Sequence, residues 1–176
     1  EARTLAITDD LTGLPTRRWF LPPAPHQVEQ ARRYGEPISV LAVDLDRFKQ
    51  VNDRYGHQTG DHVLREVALS IQQRLRAVAA LCRFGGEEFL ALLPRTAEEQ
   101  AYVVADRLRK AVAASRIEDF NEAVTVSLGV AGASTLRPER YDLDLLIRRA
   151  DQALYSAKDA GRDTVHASSG LGRRRR

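Results

Sequence analysis

Apolar residues along this chain follow two rhythms, continuous runs and helical recurrences, separated by glycine-rich or polar connections. "ISVLAVDLD", Ile38 to Asp46, is an unbroken apolar run rich in β-branched residues, which predicts a buried strand ending in two acids. A polar connection follows, "RFKQVNDRYGHQTGD", holding Gly56 and Gly60. From Asp61 onward, Leu64, Val67, Ile71, Leu75 and Val78 recur at helical spacing and predict a long amphipathic helix. "LCRF" and "EEFLALL" flank two glycines, a hairpin signal, because both turn residues can adopt positive φ. Thr96 and Glu99 have the spacing of a capping box ahead of a helix to about Ser115, with Ala101, Val104, Leu108 and Val112 on one face. "VTVSLGVA", Val124 to Ala131, predicts another strand. A helix from about Leu143 to Lys158 then buries Leu146, Ala150, Ala153 and Leu154, with Gly161 as its stop and "DTVHA" as a short last strand. Near the start, "LPPAPH", Leu21 to His26, predicts an irregular, exposed break before a helix of about ten residues.

The order is strand, helix, hairpin, helix, strand, helix, strand, and its core matches the split β-α-β-β-α-β arrangement. The expected fold class is therefore α+β: a central, mostly antiparallel sheet flanked by helices, with a ferredoxin-like core. In this topology the hairpin commonly lies beside the first strand, which would bring Glu87 and Glu88 close to Asp44.

At 176 residues, with 43% apolar and 29% charged, the chain fits one soluble domain with a proper core. We expect that domain to span residues 1–168, followed by a flexible Arg-rich tail over 169–176. No apolar run approaches the ~20 residues needed to cross a bilayer, and nothing at the start resembles a signal peptide. The single Cys82 allows no internal disulfide, so a reducing, cytoplasmic setting is the simplest reading. A chain that begins at Glu1 and contains no Met reads as part of a longer protein. Four of the positive charges behind the net charge of +3 sit in the terminal Arg173 to Arg176, leaving the rest near neutral. With no basic stripe interleaved with aromatics, no nucleic-acid partner is expected.

Side chains alternate along a strand, so Asp44 and Asp46 share a face. Taken singly, each acid reads as solvating a turn or a strand end. Clustered, Asp44, Glu87 and Glu88 would repel one another unless a cation neutralised them, and a few hard oxygen ligands suit Mg²⁺ shared with substrate phosphates.

"RFGGEEF", with "DLDRFKQVNDRYGHQTGDHVL" and "DDLTGLPTRR" before it and "VSLGVA" and "RADQALYSAKDAGRD" after it, resembles the GGDEF family of diguanylate cyclases in its GGEEF variant. The match runs from about Asp9 to Asp163. The resemblance implies a palm-like domain that joins two GTP molecules into cyclic di-GMP and releases a pyrophosphate from each. It implies a homodimer of half-sites, two Mg²⁺ per site, and an upstream sensory or receiver domain. By position, Asp44 and Glu87 correspond to the Mg²⁺ ligands, with the Leu45 carbonyl assisting; Glu88 completes the metal shell or helps remove the 3′-hydroxyl proton. Asn52 and Asp61 correspond to guanine contacts, and Lys158 and Arg162 to triphosphate-binding cations. The backbone N–H groups of Phe48 and Lys49 could cradle phosphates, and Gly85 and Gly86 let the backbone approach a nucleotide.

Departures from the family's pattern also carry information. Many members have an inhibitory product site, Arg-x-x-Asp, five residues before the two glycines. Here the window reads "RAVA": Arg76 is present, Ala79 replaces the acid, and Arg107 matches a second basic contact. Weak or absent product inhibition is the expectation. Thr16 stands where the family often has Asn. Two other functions fit less of the sequence: a sensor that binds GTP or cyclic di-GMP without efficient turnover, and a structural module whose acids merely solvate turns.

Overall fold

Why the run from Ile38 is apolar at most positions on both faces becomes clear once its neighbours are placed. The computed structural model describes residues 7–75, 77, 79–133 and 141–172. Its elements are α1 (Arg17–Phe20), α2 (Ala24–Tyr34), β1 (Ile38–Leu45), α3 (Phe48–Tyr55), α4 (His57–Arg74), β2 (Ala80–Arg83), β3 (Glu88–Pro94), α5 (Glu98–Ala114), β4 (Val126–Gly132), α6 (Leu143–Asp159) and β5 (Val165–Ala167). They form a five-stranded sheet in the order β2-β3-β1-β4-β5. The pairings of β1 with β3 and β4, and of β2 with β3, are antiparallel, while β4 and β5 run parallel.

β1 is central and buried along its whole length. Its odd-numbered Leu41, Val43 and Leu45 pack with Val63, Leu64, Val67 and Ile71 of α4 and Ala101, Ala105 and Leu108 of α5. Its even-numbered Val40 and Ala42 pack with Ala24, Val28 and Ala31 of α2 and Leu146, Ala150 and Leu154 of α6. Each such Leu, Ile or Val contributes about 1.5–3 kcal/mol by leaving water. The α+β expectation holds, with helices on both faces of the sheet. Among the described residues, no helix is long and apolar enough to cross a membrane.

Four local expectations need correction. The polar connection after β1 is mostly helical: α3 spans Phe48–Tyr55, and α4 starts at His57 rather than Asp61. Phe48 and Val51 pack on the α4–α5 core and Tyr55 meets Phe120 edge-on at 5.2 Å, so one apolar edge anchors an otherwise polar helix. The expected capping box at Thr96 and Glu99 is absent, because the Thr96 hydroxyl turns back to donate to the Pro94 carbonyl at 2.9 Å. Ala97 is the N-cap instead, its amide donating to Gln100 Oε1 at 3.1 Å. Gly85 and Gly86 do not take positive φ, since their turn is a wider loop in which the amides of Phe84 and Gly85 both donate to the Glu88 carbonyl. The break after Leu21 is short: α2 begins at a buried Ala24, with Pro25 in the first turn where a missing N–H costs nothing.

Candidate active site

The register of the β1–β3 pair builds the site. Asp44 lies directly opposite Glu88, so the two acids share one face at the end of the sheet, the face that α6 covers. Asp44 is buried, and Lys158 from the last turn of α6 donates to its Oδ2 at 2.5 Å. Burial pushes the Asp44 carboxyl above the usual range; the Lys158 ammonium opposes that, while Glu88 and Asp46 reinforce it. Glu87 is raised too, first by burial and then by the Asp44 charge, with Lys158 again opposing. Glu87 precedes β3, so strand alternation does not force it to the face opposite Glu88, and its carbonyl accepts from the Leu45 amide at 3.2 Å. Asp44, Glu87 and Glu88 therefore form one electrostatic neighbourhood balanced by a single ammonium.

That donor set fits a hard divalent cation. Among the described residues no three acids or imidazoles stand preassembled as a ligand cage. A metal shared between one or two carboxylates and substrate phosphates needs no such cage. Two desolvated carboxylates, both raised, are stabilised by any cation that joins Lys158.

Gly85 has a steric task. A Cβ there would stand 2.8 Å from Glu88 Oε2, so any other residue would displace the end of the Glu88 side chain from its place over the loop. Sequence reasoning missed what fastens that loop. Arg83 donates twice to the Gly86 carbonyl, at 3.2 and 2.7 Å, and pairs with both carboxylate oxygens of Asp9 at 2.9 and 3.1 Å. Asp9 also accepts from the Thr12 amide and hydroxyl, at 2.8 and 2.7 Å, closing the "DDLTG" turn. Burial raises the Asp9 carboxyl, but Thr12 and Arg83 outweigh it and hold it below its ordinary value. A charge pair some seventy positions apart in sequence had no local signal.

Phe48 and Lys49 occupy the first two positions of α3, where N–H groups have no intrahelical acceptor. Asn52, half-buried in α3, lies across Gly60 of α4, and its Oδ1 is buried without a hydrogen-bond partner among the described residues. Asp61 follows Gly60 and is exposed. Arg162 is exposed in the turn after α6, with φ of 67°. Asp46, on the same face as Asp44, is occupied otherwise: it accepts from Thr125, Ser127 and the Asp163 amide. Cys82 is buried, and burial pushes its thiol up to about 12, which leaves it unreactive.

Of the inhibitory window, Arg76 lies outside the described residues. Ala79 and Arg107 line a cavity of about 290 Å³ with Arg74, Leu75, Leu93, Pro94, Thr96 and Val104, a described lining that contains no carboxylate.

Residues 6–164 match the family model described as "Diguanylate cyclase, GGDEF domain". The response regulator PleD of Caulobacter vibrioides is 40% identical over 163 residues, covering 92% of this chain and 36% of PleD. The chain thus spans about a third of that relative's length. The GGDEF domain of DgcB from Caulobacter crescentus, solved in complex with c-di-GMP, superposes with a TM-score of 0.86 at 34% identity, covering 97% of this chain and 100% of that one. The active GGEEF domain of a diguanylate cyclase from Vibrio cholerae superposes with a TM-score of 0.81 at 33% identity, covering 87% and 96%.

Proposed function

The chain belongs to the GGDEF family of diguanylate cyclase domains, and from that premise we propose that it is a GGEEF-type catalytic domain that condenses two GTP molecules into cyclic di-GMP. The observation that carries this reading is the pairing of a buried, raised Asp44 with Glu88 in register and Lys158 above it.

Asp44, Glu87 and the Leu45 carbonyl would hold Mg²⁺, two ions per site, with Glu88 either completing the shell or accepting the 3′-hydroxyl proton. Magnesium, when bound, neutralises charge on the phosphate oxygens and on the attacking and leaving oxygens. The Asn52 amide and the Asp61 carboxylate read the guanine edge, the Phe48 and Lys49 amides receive phosphate oxygens, and Lys158 and Arg162 grip the triphosphate. Gly85 and Gly86 keep the loop clear of side chains where the nucleotide lies.

One domain carries one such set, so two copies face each other as a homodimer of half-sites. The 3′-oxygen of one GTP attacks the α-phosphorus of the other in line. One P–O bond forms, the bond to the β-phosphate breaks, and pyrophosphate leaves; the mirror step closes the ring. Catalysis is positioning plus charge stabilisation. The domain works in the cytoplasm, under an upstream sensory or receiver domain. Product inhibition through the Arg76 window is weak, because Ala79 offers guanine N–H groups no acceptor.

Thermal unfolding with GTP and Mg²⁺ tests the nucleotide reading. Binding at 100 times Kd stabilises by about 2.7 kcal/mol, a shift of roughly 5–10 °C for a domain of this size. The shift is expected for the wild type and is lost in Asp44→Asn. No shift in the wild type would leave only a structural module.

A further inference from the structure

Asp46 follows β1 directly, beside the proposed catalytic acids, yet its carboxylate is taken up elsewhere. Oδ1 accepts from Ser127 Oγ at 2.7 Å, and Oδ2 accepts from Thr125 Oγ1 at 2.7 Å and from the Asp163 amide at 3.0 Å. Its own amide donates to the Thr125 carbonyl at 2.9 Å. The residue is 8% exposed, so these bonds have little competition from water.

The Asp163 amide belongs to an unusual turn. After α6, Gly161, Arg162 and Asp163 have φ of 116°, 67° and 43°. Two successive non-glycine residues in the left-handed region persist only where their surroundings over-determine them. The Arg162 amide donates to the Ala157 carbonyl at 3.2 Å, which closes the helix end. The peptide joining Arg162 to Asp163 is then oriented by the N–H it gives to Asp46. The other tie, from Arg109 Nη1 to Asp163 Oδ1 at 3.1 Å, holds a side chain rather than this peptide.

We propose that Asp46 is a positioning residue that fixes Arg162 relative to Asp44, joining the triphosphate grip and the metal-holding strand into one rigid unit. This rests on the function proposed above. The placement has a cost that a purely structural acceptor would avoid. A third negative charge on this face adds to the repulsion at Asp44, and an Asn or Ser could satisfy two hydroxyls without it. What a carboxylate adds is acceptor capacity for three donors at once, one of which holds a strained peptide.

The test compares GTP and GMP binding to the whole chain by titration calorimetry in Mg²⁺. GMP lacks the β- and γ-phosphates that Arg162 would grip, so the ratio of the two dissociation constants reports that contact. Asp46→Ala should weaken GTP by about 10- to 100-fold and leave GMP unchanged. Asp46→Asn should retain most of the wild-type ratio, since its oxygen can take the Asp163 N–H while its amide donates to a rotated Ser127 hydroxyl. In an Arg162→Ala background, Asp46→Ala should change the ratio no further. Equal weakening of GTP and GMP, or full additivity with Arg162→Ala, overturns the proposal. Should Asp46→Ala fail to fold, Asp46→Ser runs the same cycle, keeping a polar group for the hydroxyls while falling short of Asp163. A wild-type protein that binds GTP no tighter than GMP overturns the triphosphate grip itself, and this inference with it.

Discussion

Gly60→Ala separates fold from function at a single methyl group. Gly60 is buried in α4 with an ordinary helical backbone, where alanine normally gains about 1 kcal/mol over glycine. The new Cβ would come within 1.7 Å of Asn52 Oδ1 and 2.9 Å of its Cγ, so the amide must swing away. That oxygen has no hydrogen-bond partner among the described residues, so moving it forfeits no internal bond. The propensity gain and the displacement should nearly cancel, keeping the melting temperature within about 4 °C of wild type. Binding should behave differently: if Asn52 reads the guanine edge as proposed, turning it away forfeits about 1–3 kcal/mol, which is about 5- to 150-fold in Kd for GTP. Calorimetry with GTP and ATP, beside a melting curve, reads both effects, and discrimination between the bases should narrow. Unchanged GTP affinity in a folded Gly60→Ala protein would refute the assignment of Asn52 to the guanine.

Three further outcomes follow from the same geometry. Gly85→Ala puts a methyl 2.8 Å from Glu88 Oε2, so turnover should fall by about 10- to 100-fold while GTP binding persists; retained turnover would detach Glu88 from the chemistry. Glu98 is buried and accepts from the Gly132 amide, the Ser168 hydroxyl and the Ser169 amide, at 2.9, 2.7 and 3.0 Å. Burial raises its carboxyl, but the bonds from Ser169, Ser168 and Gly132 outweigh it, so the folded value lies below the ordinary 4.5. The stability Glu98 contributes is therefore complete above that ordinary value and lost as pH falls through the lowered one. Glu98→Ala should cost about 2–4 kcal/mol at neutral pH, lowering the melting temperature by about 5–15 °C, and Glu98→Gln should flatten the acid limb of the stability curve. Cyclic di-GMP titrated into Glu87→Ala, which removes one of the proposed catalytic acids and leaves the Ala79 window alone, should bind only weakly; tight binding would show an intact inhibitory site.

Much of this was legible in the chain because burial leaves periodic traces. The apolar run of β1, the stripes of α5 and α6, and the hairpin around the glycines follow from which faces meet a core. The approach of Glu87 and Glu88 to Asp44 followed from topology alone, and the register bears it out for Glu88. α3 was hidden because only Phe48 and Val51 pack into the core, with an exposed Tyr55 edge-on to Phe120 at its end, too few apolar residues to stand out from a polar stretch. The glycines were misread because a two-residue turn was assumed, whereas neither takes positive φ and only Gly85 leaves room for the Glu88 side chain. Asp9, Arg83 and Asp46 act through hydrogen bonds to partners 74 to 117 positions away, and no local pattern encodes a partner at that range. Arg76, Val78 and residues 173–176 lie outside the described residues, whereas residues 169–172 of the expected tail are described and the Ser169 amide donates to Glu98.

The most direct test of the central claim is chromatographic product analysis after incubation with GTP and Mg²⁺ at several protein concentrations, beside Glu87→Gln. Cyclic di-GMP should rise more steeply than linearly with protein concentration, as two half-sites require, and should disappear in the variant. Equal product from wild type and Glu87→Gln, or none from a wild type that binds GTP and is dimeric, would contradict that claim.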